Sequence, residues 1–227
     1  MKGIIFDMDG VLIDAMPFHA EAMKIAIKEE TNYEIDKKIV YQLEGMPSDN
    51  LVKEIFKKYN INKELDQDLI DKISERKKQL FKEIEDTHLI EGVSDLIKVL
   101  NECKCLKAIV TGAAKKEIEL TIDKMIGLNN FDVVVSGEDV TAGKPNSAPF
   151  VVALQKMNLK PSECIVVENA PLGVEAANKA GIKCILTLNN TPLDISADFD
   201  NILSKETQIF RDTKSAIDFL MKWCCNS

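Results

Sequence analysis

"GIIFDMDGVLID", residues 3–14, is the stretch on which the reading of this chain turns. Ile4, Ile5 and Phe6 run into Asp7, and a second acid, Asp9, follows with Gly10 behind it. A short β-branched run bounded by turn residues reads as a buried strand. Two carboxylates at the end of such a strand cost stability, because like charges raise each other's pKa and resist desolvation. Their presence points to chemistry.

Working outward, four further runs have the same character: "KAIVT" (107–111), "DVVVS" (132–136), "CIVVE" (164–168) and "CILTL" (184–188). Helical patterns fall between the later ones: "SDLIKVLNEC", "KKEIELTIDKMIG", "APFVVALQKMN" and "APLGVEAANKAG". Buried strands alternating with helices imply a parallel sheet covered on both faces. The expected core is α/β, a doubly wound, Rossmann-like parallel sheet. Residues 16–85 break the rhythm, being rich in Lys and Glu with helical periodicity and no convincing strand. They read as an inserted all-helical cap domain, leaving residues 1–15 and 86–227 as the catalytic core. Ligands of open α/β sheets bind beyond the carboxyl ends of the strands, so a segment leaving just after Asp9 would lie over the site as a lid. Beyond residue 190 only a short strand, "QIF", and a final helix from about 213 are expected.

Composition bounds the function. The 227 residues carry a net charge of −8, with 45% hydrophobic and 29% charged residues. That balance gives no global attraction to nucleic acid or to an anionic membrane. No apolar run approaches a membrane span, and the N-terminus lacks signal-peptide features, so a cytoplasmic protein is expected. Six cysteines (103, 105, 164, 184, 224, 225) form no C-x-x-C pair, and with two histidines they do not suggest zinc. Cys164 and Cys184 read as core residues. The adjacent Cys224 and Cys225 read as a frayed, reducible surface feature without a function.

Four of the apolar runs lead to residues that a reaction can use: Asp7 with Asp9, Thr111, Lys144, and Glu168 with Asn169. Each has an ordinary structural reading as well. Asp-Gly is a turn, Thr-Gly a strand-to-helix connection, Lys-Pro a solvated loop, and Asn a helix N-cap. If the runs are parallel neighbours, however, all four sets converge on one edge of the sheet. Acids from two strand ends suit a hard cation such as Mg²⁺, which prefers one or two carboxylates with waters and phosphate oxygens. A lysine and a hydroxyl facing the same pocket would bind the anion that the cation also contacts, as phosphoryl transfer requires.

"DMDGVLID", "VTGA", "AGKPNSAPF" and "VVENAPLGVEAANKAG", in that order and spacing, resemble the four motifs of the haloacid dehalogenase superfamily. The resemblance covers the chain to about residue 190 and is greatest to the helical-cap branch of β-phosphoglucomutases, phosphoglycolate phosphatases and sugar-phosphate phosphatases. It implies that Asp7 is a nucleophile forming an aspartyl-phosphate. Asp9 would be general acid and base, its backbone carbonyl touching Mg²⁺. Thr111 with the amides of Gly112 and Ala113 would hold phosphoryl oxygens, Lys144 would neutralise charge, and Glu168 and Asn169 would complete the metal site. Relatives usually carry an acid where this chain has Asn169, so either Asn169 is a neutral oxygen ligand or Glu168 supplies the charge. In the cap, His19 could reach substrate or Asp9, Gly45 would lie in the substrate loop, and Arg76 could reach a substrate phosphate.

The resemblance thus implies a Mg²⁺-dependent phosphatase acting on a small phosphorylated metabolite, as a monomer or else a homodimer. Dehalogenase and phosphonatase readings are disfavoured by Asp9, and no clear cap lysine of the phosphonatase kind stands out. The mutase alternative expects basic residues in "QLEGMPSDNL", where this chain has Glu44 and Ser48. A carboxylate there would repel a second phosphate. A non-catalytic binding protein on the same fold is the remaining alternative, and the intact Asp7, Asp9, Thr111 and Lys144 argue against it.

Overall fold

A computed structural model describes residues 1–225. Six parallel strands form one sheet in the order β3-β2-β1-β4-β5-β6. They are β1 (Gly3–Phe6), β2 (Leu106–Val110), β3 (Val133–Val135), β4 (Cys164–Glu168), β5 (Lys183–Thr187) and β6 (Gln208–Phe210). The central strands β1 and β4 are buried throughout, as their unbroken apolar runs require. The chain order reverses where β1 is flanked by β2 on one side and β4 on the other. A switch point of this kind opens a crevice at the carboxyl end of the strands, and Asp7 stands at its mouth.

Helices cover both faces. Against one face, α5 (Val93–Glu102), α6 (Lys115–Met125) and α10 (Thr213–Cys225) enclose an apolar cluster with Ile4, Phe6, Ile109 and Val167. Against the other, α7 (Ala148–Met157) and α8 (Pro171–Lys179), with Leu193 and Phe199 to either side of the short α9 (Ile195–Asp198), pack over Ile5, Val110, Val166 and Leu186. None of the described helices is long and apolar enough to cross a membrane.

Between β1 and α5 lie α1 (Met16–Thr31), α2 (Lys38–Gln42), α3 (Ser48–Lys58) and α4 (Gln67–Ile84). Pro17 opens α1, where its missing N–H costs nothing, and Asn32 closes the helix in the left-handed conformation at φ 63°. Asp66 caps α4 by accepting from the Leu69 N–H at 2.9 Å. Leu69, Ile70, Ile73 and Leu80 make the buried stripe of α4, which packs on Met23 and Ile27 of α1 in a third apolar cluster drawn from these helices. The two chain crossings to the sheet run side by side: Asp14 N–H donates to His88 O at 2.9 Å and Ile90 N–H to Leu12 O at 3.0 Å. Farther along, Lys38 Nζ (2.8 Å) and Gln42 Nε2 (2.6 Å) of α2 hold the Asp198 carboxylate of α9.

The C-terminal cysteines depart from expectation. Cys224 is buried, and disulfides join Cys103 to Cys225 and Cys105 to Cys224. The adjacent pair lies on α10, which packs on α5 and brings it over the entry to β2, an arrangement that local sequence cannot reveal. The bridges span 122 and 119 residues, and the first to form should contribute roughly 4–5 kcal/mol by restricting the unfolded chain. The second then closes only a short ring and adds far less. Reduction is expected to lower the melting temperature by about 10 °C. Calorimetry of the oxidised and thiol-reduced protein checks this, and equal melting temperatures would refute it.

Candidate active site

Asp7 follows β1 directly, its N–H donating to Val167 O at 3.0 Å, so its side chain emerges between β2 and β4. The loop behind it turns tightly, with Gly10 N–H on Ile13 O at 2.7 Å and Leu12 N–H on Met8 O at 2.9 Å. Asn189 and Thr213 hold this loop from behind: Asn189 Nδ2 donates to Gly10 O at 2.9 Å and to Thr213 Oγ1 at 3.0 Å.

Lys144 lies between two carboxylates. Its ammonium donates to Asp7 Oδ1, to Glu168 Oε1 at 2.5 Å and to Val110 O at 3.4 Å, and all three charged side chains are buried. Burial alone would lower the Lys144 pKa, but the fields of Asp7 and Glu168 outweigh it and hold it well above the usual lysine range. For Asp7 burial is the largest effect. Lys144 opposes it, Glu168 and Asp9 add to it, and the carboxyl is pushed up to about 8. Asp9 reaches about 7, raised by burial and then by Glu117 against the pull of Lys77 and Lys144. Thr111 is buried just past β2, and its Oγ1 accepts from the Ala113 N–H at 3.2 Å. The Ala113 amide, read from the sequence as a phosphoryl-oxygen donor, is therefore engaged by Thr111 here. Gly112 lies between them.

The inserted helices supply the rest. His19 Nε2 stands 3.9 Å from Asp9 Oδ1, and the ring stacks on Phe81 with centroids 4.0 Å apart. Its Nδ1 lies 2.7 Å from the Lys77 ammonium. An ammonium has donors only, so Nδ1 accepts and the proton of the neutral ring sits on Nε2, facing Asp9. Burial, then the charge of Lys77, lowers the His19 pKa well below its ordinary value and keeps the ring neutral. Gly45 packs on the stem of Lys144: at φ +86° a Cβ there would meet Lys144 Cδ at 2.7 Å, so only glycine fits.

Arg76 does not join the site. It pairs with Glu29, Nε to Oε2 at 2.6 Å, and reaches toward Glu83 at 3.7 Å on the outer side of α4. The inward cation is its neighbour Lys77, which the sequence reading passed over. Relative to the buried Ile73 and Leu80, Arg76 stands at i+3 and i−4 and Lys77 at i+4 and i−3, so helical spacing does not separate them. Arg76 is held outward by its pair with Glu29.

Glu44 was also missed as a site residue. From the loop after α2 its carboxylate accepts two contacts from Asn169 Nδ2, at 3.1 and 2.9 Å. Burial, then the charges of Asp7 and Glu168, pushes its pKa well above the ordinary glutamate value. Among the described residues no three acidic, His or Cys side chains form a ready-made metal cage. Mg²⁺ does not demand one, since it keeps waters and takes phosphate oxygens. The donors here are all oxygen, and Asn169, 2% exposed, leaves Oδ1 buried without a hydrogen-bond partner. An orphaned oxygen among carboxylates is a group that a hard cation would satisfy. Asp7, Asp9, Glu168 and Asn169 therefore fit Mg²⁺.

Fold and site together define a class: a doubly wound α/β protein whose carboxylate and lysine centre lies at the switch point of its parallel sheet. The chain belongs to the haloacid dehalogenase-like hydrolase family, whose profile matches residues 4–187. A Haemophilus influenzae protein is 32% identical over 80% of this chain and 88% of its own. A phosphorylated carbohydrates phosphatase of Thermotoga maritima is 28% identical over 82% of this chain and 84% of its own. A solved structure from Bacteroides vulgatus, described provisionally as a β-phosphoglucomutase, superposes with a TM-score of 0.86 at 26% identity, covering 98% of this chain and 88% of that one.

Proposed function

We propose that the protein is a Mg²⁺-dependent phosphatase that hydrolyses a small phosphorylated carbohydrate or similar monoester through an aspartyl-phosphate. The observation that carries this reading is the buried Asp7–Lys144–Glu168 cluster, with Asp9 and His19 beside it, at the carboxyl end of β1. An Asp7 oxygen attacks phosphorus as the ester P–O bond breaks, and Asp9 gives its proton to the leaving oxygen. Water then attacks phosphorus, Asp9 takes its proton, and breaking the acyl phosphate bond frees phosphate and restores Asp7. A carboxyl raised to about 7 can serve both half-steps near neutrality. Lys144 offsets charge on the nucleophile, Thr111 and the Gly112 amide position phosphoryl oxygens, and neutral His19, itself oriented by Lys77, steadies Asp9. Mg²⁺ when bound, held by Asp7, the Asp9 carbonyl, Glu168 and Asn169, supplies electrostatic stabilisation of the transferring group.

Residues 16–85 act as the cap, closing over the core of residues 1–15 and 86–227 and excluding water. One chain supplies every side chain named, so a monomer suffices. In a cytoplasmic setting the bridged cysteines would stand as thiols. Hydrolysis is favoured over mutase action by Glu44, a carboxylate where a second phosphate would need a cation. The name of the Thermotoga relative supports the carbohydrate class. A panel of phosphate monoesters, assayed with and without Mg²⁺, should show Mg²⁺-dependent phosphate release. A protein inert toward the whole panel would overturn the reading, and bisphosphate-stimulated interconversion of glucose phosphates would replace it with the mutase.

A further inference from the structure

We propose that Glu44 of the inserted segment is itself a ligand of the cation, completing a site that the core alone leaves one acid short, so that cation binding and closure of the segment are one event. The inference rests on the Mg²⁺ site proposed above. Two observations point to it. The Glu44 carboxylate stands on Asn169, with both oxygens within 3.1 Å of Nδ2. Asn169 is buried, and its Oδ1 has no partner.

The geometry explains how Asn169 is tolerated. A neutral amide oxygen is a weaker ligand for a hard cation than a carboxylate. Glu44 returns the missing charge from the opposite side of the crevice, and it can do so only when the segment lies against the core. The Lys38 and Gln42 contacts to Asp198 hold the neighbouring turn in that position. An open segment would leave a cation with fewer protein oxygens, and a bound cation would draw the segment shut.

Mn²⁺ binding followed by electron paramagnetic resonance on the full chain, without substrate, tests this. Glu44→Gln is expected to weaken Mn²⁺ binding at least tenfold, with Glu44→Asp intermediate. Asn169→Asp should tighten binding, and in the Glu44→Gln background it should recover most of the loss. Hydrogen exchange of residues 42–48 should slow on adding Mn²⁺ in the unmodified protein and not in Glu44→Gln. If Glu44→Gln binds Mn²⁺ as tightly as the unmodified protein, Glu44 is only a latch on Asn169 and the inference is wrong. If the unmodified protein binds no Mn²⁺, it is equally wrong. A protein that binds Mn²⁺ through Glu44 but hydrolyses no ester would uphold the inference while removing the phosphatase.

Discussion

Asp7→Asn is expected to abolish phosphate-ester hydrolysis, by at least about 10⁴-fold, while leaving the protein as stable as before or more so. The two effects have one cause. Asp7 is buried, and desolvation with the help of Glu168 pushes its carboxyl up to about 8 against the opposing pull of Lys144. A carboxyl whose folded pKa lies above its unfolded value near 4 binds its proton more tightly when folded. It therefore favours the folded state at low pH, and that contribution is lost as pH rises from about 4 to about 8. Asparagine keeps the shape, can still accept from Lys144, and never ionises, so the variant should show a flatter decline of stability across that window. Turnover of p-nitrophenyl phosphate and urea unfolding in EDTA between pH 5 and 8 measure the two halves. Retained turnover would remove Asp7 as nucleophile. A variant less stable than the parent at pH 8 would show that the ionised pair with Lys144 outweighs the desolvation.

The sheet was legible because its strands are unbroken β-branched runs, which need both faces covered. Five of the six stand within a residue or so of where the runs place them, and even "QIF" forms a strand. Sheet order was not legible, since it depends on which crossovers pass which face. Asp7, Lys144 and Glu168 could be named because each lies at or after a strand end, a location that topology alone brings to the switch point. Residues of the inserted helices were harder. Arg76 and Lys77 both border the buried stripe of α4 at helical spacing, and only the pair with Glu29, 47 residues away, holds Arg76 outside. Glu44 was seen only as a charge that would repel phosphate, because its contact with Asn169 spans 125 residues. The cysteines failed for the same reason: separations of 119 and 122 residues leave no local pattern.

Lys144→Met should be the most destabilising substitution in the site. Lys144 is 4% exposed and is the ammonium that separates Asp7 from Glu168. Methionine keeps much of the unbranched stem that rests under Gly45, so the change isolates the charge from the packing. Two buried carboxylates would then face each other with no cation between them. Breaking a buried pair by removing one partner costs about 3–5 kcal/mol, because the remaining charge stays desolvated. In EDTA the variant can escape only by protonating. Without Lys144 the upward push that burial and Glu168 already exert on Asp7 is unopposed, so its stability should recover as pH falls from 8 toward 5, more steeply than the parent's. Mg²⁺ offers a second escape, since a bound cation would stand near the same oxygens, and it should restore part of the loss at pH 8 without restoring turnover. Chemical denaturation at pH 5 and pH 8, each with and without Mg²⁺, separates these outcomes. Equal stability of parent and variant at pH 8 in EDTA would mean that the carboxylates are not held by Lys144, and the electrostatic account of the site would fall with it.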